Sequence, residues 1–309
     1  MRGMTRKISI LGAATLALSL TGAAYAADAP ARVYTKAPVP VAATPIWDVA
    51  IGAAIMSDYN FRGVSQSNRG PSAGAYFEGQ YNSSFGTWYL GIAGVSIEWP
   101  SSPAFGFTDP AAEIDFFGGW RKTWDKFSVD IGAIYYYYPK EQFNGFTTDS
   151  DFWEVYWKGG YAVNEALSVG ANVFYTPDLL NYSQTIGTVS GASRDVDAIY
   201  ASLTAKYILP WQNAGWGSYV SGELGHWWID GGAMIAGGAT ADPDYTYWNA
   251  GLAFTYKALT LDLRYHGTSQ STQDCANFLL VGVANPATRW CKDAFIASLK
   301  FDTTLSALK

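Results

Sequence analysis

The sequence lacks, after residue 20, any apolar run of the length that a membrane-spanning helix needs, which is about 20 residues. This absence excludes a helical membrane protein. Charged residues are few as well: they make up 15% of the chain, against about 25% in ordinary soluble domains. The formal net charge is −6, whereas nucleic-acid-binding domains usually carry a basic face. We therefore expect no nucleic-acid partner.

Histidine and cysteine, which are common ligands of transition metals, are scarce. Neither His226 nor His266 is close in sequence to Cys275 or Cys291. Two thiols alone make a poor metal site, so we expect no metal and no cofactor. The two cysteines flank one polar stretch. In an exported chain, which meets an oxidising compartment, we expect them to form a disulfide that staples a surface loop.

The N-terminal segment has the pattern of a cleaved export signal. A positively charged start is followed by a short apolar run at residues 8–20 and a small-x-small cleavage site that ends at Ala26. The run is too short for a transmembrane anchor. We predict a signal peptide at residues 1–26, followed by an Ala/Pro-rich periplasmic leader at residues 27–46.

Aromatic residues and glycine, in contrast, are abundant. The aromatic share is 16%, with 21 Tyr and 13 Trp, and the chain has 32 Gly. An exported chain with many aromatics, few charges and no helix-length apolar segment is typical of outer-membrane β-barrels.

The remaining sequence divides into about twelve amphipathic segments. We predict strands at residues 47–62, 72–82, 86–97, 111–121, 127–138, 151–161, 167–176, 196–207, 216–228, 245–256, 259–267 and 293–301. The links alternate between short ones with turn residues and longer ones rich in Pro, Gly and Ser. Short periplasmic turns and longer external loops are the arrangement of outer-membrane barrels.

Period-two alternation supports each predicted strand. In the segment 259–267, for example, apolar residues alternate with Thr260, Asp262, Arg264 and His266. A soluble lipocalin-like barrel or sandwich is the alternative, but such barrels use about eight strands. We therefore predict an all-β fold, a transmembrane antiparallel up-and-down β-barrel of about twelve strands.

The barrel is expected to cover residues 47–301, and residues 302–309 are assigned to a C-terminal tail. Outer-membrane barrels usually end in an aromatic residue, and the last aromatic here is Phe301. Either the last strand ends there, or Leu305 and Leu308 extend it.

If the apolar parity of each strand faces lipid, the polar parity faces the lumen. The candidate pore-lining residues are Asp58, Arg62, Glu78, Glu113, Asp115, Arg121, Asp130, Glu154, Lys158, Lys206, Glu223, Asp262, Arg264 and Lys300. Charges that line a pore select ions and solutes by their field. Alternatively, opposite charges pair across the lumen and plug it. Both forms are open at this point, because eight-stranded barrels are filled by side chains, 16-stranded porins are open, and twelve strands lie between them.

The segment 57–67 is expected to continue the first strand to its outer end. Its parity would place Tyr59 and Phe61 at the lipid interface and Arg62 at the outer mouth. There Arg62 would hold acids of neighbouring strands or attract anionic groups.

Two other classes of function are open at this point. A lipid-hydrolysing barrel enzyme would need a Ser-His pair near the outer rim, and Ser218 and Ser221 are badly spaced from His226 along an extended strand. We therefore expect no enzyme. A structural or adhesive surface protein with a plugged barrel is the stronger alternative.

Four segments carry a family resemblance: residues 57–66 (SDYNFRGVSQ), 112–120 (AEIDFFGGW), 129–139 (VDIGAIYYYYP) and 154–156 (EVY). The first resembles the pattern S-D-Y-x-F-R-G-x-S-Q of the Gcw_chp family, a proteobacterial exported family also described as TorF-type porins. The resemblance is specific over residues 47–180. It implies an outer-membrane barrel of porin type without established catalytic residues.

These observations lead to one expected function. It is passive diffusion of small hydrophilic solutes or ions across a bacterial outer membrane, through a charged lumen. The expected partners are outer-membrane lipid, the diffusing solutes and the barrel-assembly machinery.

Overall fold

The structure is a computed structural model that describes residues 45–99, 110, 112–139, 149–183, 196–211, 213–230, 244–279 and 284–308. The predicted signal peptide and nearly all of the predicted leader lie outside the described residues, so both stay predictions.

Twelve long strands form one closed antiparallel barrel, as the sequence predicts. They are β1 (Trp47–Met56), β4 (Ser72–Ser83), β5 (Gly86–Ser96), β6 (Ala112–Trp124), β7 (Phe127–Tyr137), β8 (Phe152–Ala162), β9 (Leu167–Thr176), β10 (Ala198–Ile208), β11 (Trp216–Ile229), β12 (Tyr245–Tyr256), β13 (Leu259–Thr268) and β14 (Ala294–Thr304). Neighbours in the chain pair with each other, and β14 closes the barrel on β1, with Ala50 opposite Thr304.

The remaining regular elements are short. Strands β2 (Asn60–Phe61) and β3 (Val64–Ser65) form a separate two-stranded hairpin, and helix α1 covers Thr272–Phe278. Short 3₁₀ segments of one or two turns lie at Leu179–Asn181, Pro286–Cys291 and Ser306–Leu308. Within the described part of the chain, no helix is long and apolar enough to cross a membrane.

The outer face of the barrel is apolar. Large side chains in the middle of strands point away from the lumen, such as Leu90, Leu203 and Leu224, which are 73%, 66% and 57% exposed. Proteins in water rarely expose so large an apolar surface, whereas the hydrocarbon core of a bilayer covers it. The apolar outer face therefore indicates a membrane-spanning barrel.

Aromatic pairs ring the end of the barrel at which the short turns lie. Trp47 and Tyr81 face each other across β1 and β4, with ring centroids 4.8 Å apart. Trp216 and Tyr256 also face each other, across β11 and β12, with stacked rings whose centroids are 4.6 Å apart. Directly opposed cross-strand rings stabilise a sheet, and amphipathic aromatics suit the membrane interface.

Three predicted strand ends differ from the structure by three residues or more, and one of them is the end of β6, which lies at Trp124 rather than at residue 121. The first strand ends at Met56 rather than at residue 62, because the chain then turns into the barrel. The last strand continues past Phe301 to Thr304. After it, Ser306 bonds to the carboxylate of Asp48 at the start of β1, so part of the predicted tail belongs to the barrel wall.

Candidate functional site

The segment from Ser57 to Gly70, called here the inner hairpin, folds into the lumen from the end of the barrel that carries the long loops. At its tip Arg62 and Gly63 have φ of 48° and 92°, and they join the paired residues Phe61 and Val64. Positive φ at both central residues defines a type I′ hairpin turn, for which Asn-Gly is the usual sequence. An arginine in this conformation costs about 1 kcal/mol or more, so contacts of its side chain must compensate.

Polar residues of the motif hold the hairpin in shape. The carboxylate of Asp58 accepts bonds from the hydroxyls of Ser65 (2.5 Å) and Ser67 (3.1 Å). The side chain of Asn60 accepts from the backbone N–H of Gly63 (2.9 Å). Burial raises the pKa of Asp58, against the opposing effect of these hydroxyl bonds and of Arg69. The shape of the hairpin therefore depends on hydrogen bonds between its own buried polar groups.

The glycine at the tip is required by space as well as by conformation. A Cβ atom on Gly63 would collide with the side chain of Thr268 and would lie 3.0 Å from the ring of Tyr247. The tip therefore packs directly against β12 and β13.

The guanidinium of Arg62 reaches the wall at Glu154 of β8. Its two terminal nitrogens donate to the two carboxylate oxygens, both at 2.8 Å. The hydroxyl of Tyr136 donates to the same carboxylate (2.9 Å), and the hydroxyl of Tyr245 donates to the backbone carbonyl of Arg62 (2.9 Å). The side chains of Arg62 and Glu154 are 0% and 1% exposed. Arg62 is thus a paired, buried residue and does not present its charge to the outside.

Aromatic rings surround the same guanidinium. Its central carbon lies 4.4 Å from the ring centroid of Tyr200, 4.6 Å from that of Trp227 and 4.7 Å from those of Phe174 and Phe61. Each cation–π contact contributes about 0.5–2 kcal/mol. With Glu154, they fix the hairpin tip to four successive strands, β8 to β11.

Tyr59 and Phe61 also face inward, so their predicted place at the lipid interface is wrong. The hydroxyl of Tyr59 donates to the carboxylate of Glu113 (2.8 Å), which also accepts from Tyr138 (2.8 Å). Burial, and then the nearby Glu113, raises the pKa of Tyr59 well above its ordinary value, so it stays a donor. The rings of Phe61 and Tyr136 pack edge to face, with their centroids 6.0 Å apart. The strand parity does not extend here because the chain leaves the wall after Met56.

A second structure covers the hairpin from outside. We call it the cap; it consists of α1 (Thr272–Phe278) and the segment Asn285–Lys292 of the β13–β14 loop. The structure joins its two parts through a disulfide between Cys275 and Cys291, with an S–S distance of 2.01 Å. The hydroxyl of Thr268 donates to the carbonyl of Cys291 (2.8 Å).

Nearer the short-turn end, charged side chains and tyrosines bond along the wall. Arg121 forms an ion pair with Glu78, and Arg264 forms one with Asp262 (2.9 Å). Arg264 also donates to Asn249 (2.5 Å). The wall is therefore a network of paired opposite charges rather than a patch of one sign.

Tyrosine hydroxyls extend this network. Tyr89 donates to Asp130 and bonds to Tyr156 (2.6 Å), while Tyr200 donates to Glu223 (2.8 Å). The ammonium of Lys158 lies 4.6 Å from the ring centroid of Tyr156.

The structure places the candidate pore-lining residues on the inward side of the barrel or in the inner hairpin. Twelve of them are buried: Asp58, Arg62, Glu78, Glu113, Asp115, Asp130, Glu154, Lys158, Lys206, Glu223, Asp262 and Arg264. Arg121 and Lys300 are half-buried. Asp58 and Arg62 lie in the hairpin and not on a strand.

Sequence reasoning missed two groups of residues at this site. The inward tyrosines share the parity of the charged residues, so the same pattern would have selected Tyr89, Tyr156 and Tyr200. The role of Arg69, which connects the hairpin to the cap, had no signal in the sequence, because its partners follow about 220 residues later.

The residues considered above for a lipid-hydrolysing enzyme make ordinary structural contacts. His226 bonds to the hydroxyl of Thr246 (2.9 Å) and packs on Trp228, and Ser221 accepts a bond from Arg264. Among the residues that the structure describes, no cluster of His, Cys, Asp and Glu is placed to hold a metal ion.

A family model described as "Bacterial protein of unknown function (Gcw_chp)" matches residues 41–299. The chain belongs to the Gcw_chp family. This confirms the resemblance drawn from the SDYNFRGVSQ segment, which in the structure forms most of the inner hairpin. No functionally curated protein matches the sequence.

Several solved structures are similar to this family member. The NanC porin has 11% identity and a TM-score of 0.43, over 83% of this chain and 98% of that one. The KdgM porin has 9% identity and a TM-score of 0.43, over 82% and 98%. The COG4313 outer membrane channel from Pseudomonas putida F1 has 14% identity and a TM-score of 0.42, over 88% and 100%.

Proposed function

We propose that this protein is a channel of the bacterial outer membrane through which small hydrophilic solutes or ions diffuse. One observation carries the proposal: a barrel with an apolar outer face encloses a wall of charged and hydroxyl side chains. An inward wall of this kind suits a water-filled pore, and its charges would filter solutes by size and sign. A purely structural barrel of this girth could instead fill its interior with apolar side chains.

The inner hairpin has a defined part in this function. Its contacts run from Glu113 on β6 to Tyr245 on β12, so it obstructs the outer end of the lumen. We propose that the seated hairpin is the closed or narrow form of the channel and that solutes pass when it withdraws. Below it, a wall of paired acids and bases would favour small polar solutes of either sign over one class of ion.

The orientation and partners follow the same reasoning. The short turns, the start of β1 and the end of β14 would face the periplasm, and the long loops, the cap and the hairpin would face outward. The barrel-assembly machinery would insert the chain, and outer-membrane lipid would cover its apolar face. We propose no enzymatic role, no cofactor and no nucleic-acid partner.

A plugged structural or adhesive barrel is the second candidate, because the hairpin fills the outer end of the lumen. A hairpin-less variant separates the two. Met56 lies opposite Ser72 in the β1–β4 register, so a short Asn-Gly turn can replace residues 58–70. Glu154→Gln is added so that no carboxylate is left without Arg62.

The test is solute entry into liposomes that contain the folded hairpin-less variant. The channel proposal expects sugars of small size to enter faster than into liposomes that hold the unchanged protein. A hairpin-less barrel that folds but admits no solute would contradict the channel and favour the structural barrel.

A further inference from the structure

The base of the inner hairpin is fastened to the cap through Arg69. One nitrogen of its guanidinium donates to the backbone carbonyls of Arg289 (2.8 Å), Trp290 (3.0 Å) and Lys292. Another lies 3.5 Å from the carboxylate of Asp58 within the hairpin. A single cation therefore joins the last carbonyls of the cap's 3₁₀ turn to the carboxylate that shapes the hairpin.

Other cap residues reinforce this attachment. The indole N–H of Trp290 donates to the side chain of Asn68, next to Arg69 (3.1 Å), and the indole is buried. The ring of Phe278 lies 5.9 Å from Trp227 and 6.1 Å from Tyr245, which are two of the residues that hold Arg62. The cap thus contacts both the base of the hairpin and the wall residues around its tip.

The disulfide makes the cap one unit. Cys275 lies in α1, which carries Phe278, and Cys291 ends the 3₁₀ turn that carries Trp290. Both sulfur-bearing residues are buried, at 0% and 1% exposure. Without the bridge, the two contacts of the cap would depend on separate segments of one loop. A covalent link that shortens the free loop lowers its conformational entropy and so keeps both contacts in place.

The hairpin is held at two places with different chemistry. Its tip is fixed to the wall by Arg62 and Glu154, and its base is fixed to the cap by Asn68 and Arg69. The hairpin extends into the lumen from the long-loop end, where the cap covers it. A withdrawal of the whole hairpin in that direction would therefore displace the cap and the bonds that Arg69 makes to it.

We propose that the cap is the latch of the channel: it keeps the inner hairpin seated, and its release from Arg69 lets the hairpin withdraw and the lumen open. This inference rests on the proposed channel function. It also makes a claim about hairpin motion that can be measured without any transport.

The test uses the full protein, folded in detergent micelles, in three variants. Arg69→Ala removes the bonds to the cap, and Cys275→Ser combined with Cys291→Ser removes the bridge within it. Lys122→Ala is the matched control, because Lys122 is, like Arg69, a half-buried cation, and it donates to one carbonyl (Ser84, 3.1 Å) near the short turns. Hydrogen exchange by mass spectrometry reports on peptides that cover residues 57–70, and single-channel recording reports on opening.

We expect exchange in residues 57–70 to become about tenfold faster in Arg69→Ala, since bonds to a charged group are lost. The double serine variant should change in the same direction and Lys122→Ala should not. Barrel peptides away from these changes, such as those of β5, should exchange as before. The open probability in single-channel records should rise in Arg69→Ala and in the double serine variant, which we call the two cap variants because both loosen the cap.

The outcomes separate the latch from the channel. Unchanged exchange of residues 57–70 in both cap variants would overturn the latch, even if the hairpin-less barrel conducts. Faster exchange without conductance, in the cap variants and in the hairpin-less barrel alike, would support the latch and overturn the channel function. Faster exchange with conductance would support both.

Discussion

At the scale of single residues, the ion pair between Arg62 and Glu154 has the largest consequences. Taking both charges out of water is costly, and the bidentate bonds and the aromatic rings only offset that cost. Such a pair adds little net stability compared with a neutral pair of similar shape. Removing only one partner of the pair, in contrast, is strongly destabilising, because the remaining charge stays buried and unpaired.

Arg62→Ala is therefore expected to destabilise the folded barrel by about 3–5 kcal/mol. The double variant Arg62→Ala with Glu154→Gln should recover part of this loss, because it leaves no buried charge, but not the part that the cation–π contacts of Arg62 contribute. Urea unfolding of the protein in detergent, followed by tryptophan fluorescence, measures both. Equal stability of the single and double variants would contradict the role assigned to the pair.

Gly63→Ala tests the tip of the hairpin at the same scale. Its φ of 92° and the contact with Thr268 leave no room for a methyl group. We expect a loss of about 1 kcal/mol or more, visible as faster hydrogen exchange in residues 57–70.

Gly94→Ala is the matched control, since a Cβ atom there would have its nearest neighbour, the carbonyl oxygen of Glu113, at 3.9 Å. If the two alanine variants exchanged alike, the close packing of the tip would be refuted.

At the scale of elements, period-two alternation was enough to predict the twelve barrel strands. Each strand has one face toward lipid and one toward the lumen, so the pattern in the sequence directly reports the fold. The same rule failed for residues 57–62. Asp58, Asn60 and Arg62 alternate with Tyr59 and Phe61 just as they would in a strand.

What ends β1 cannot be found in the local sequence. The inward turn depends on contacts with distant residues, such as Glu154, which lies 92 positions away, and on the cap, which lies more than 200 positions away. The motif SDYNFRGVSQ indicated a family resemblance in this segment. The inward turn of the chain, however, depends on the closed barrel that surrounds it.

The lipid-facing side of the strands is tested by placing a charge on it. Leu203 lies in the middle of β10 with its side chain outward, so Leu203→Arg should destabilise the inserted barrel by about 2–4 kcal/mol. Leu308→Arg is the control, because Leu308 has similar exposure (60% against 66%) but follows the last strand. Folding into phosphatidylcholine vesicles, followed by heat-modifiable mobility on gels, measures the difference. Normal folding of Leu203→Arg would argue against a bilayer around this face.

At the scale of the whole molecule, two layers of the lumen have different tasks. The outer layer holds the inner hairpin through Glu113, Glu154 and a group of aromatic rings. The layer nearer the short turns, with Arg121, Asp130 and Arg264, has paired charges and tyrosine hydroxyls. The strand pattern predicted which charges face inward. It did not predict that the inner hairpin would bind two of them, Glu113 and Glu154.

The central claim is that the inner hairpin closes a barrel that otherwise conducts. Single-channel recording in planar bilayers tests it most directly, with the unchanged protein and the hairpin-less variant measured in the same salt. We predict rare or small openings for the unchanged protein and long, larger openings for the variant. Equal conductance of the two, or none from a correctly folded hairpin-less barrel, would contradict the claim.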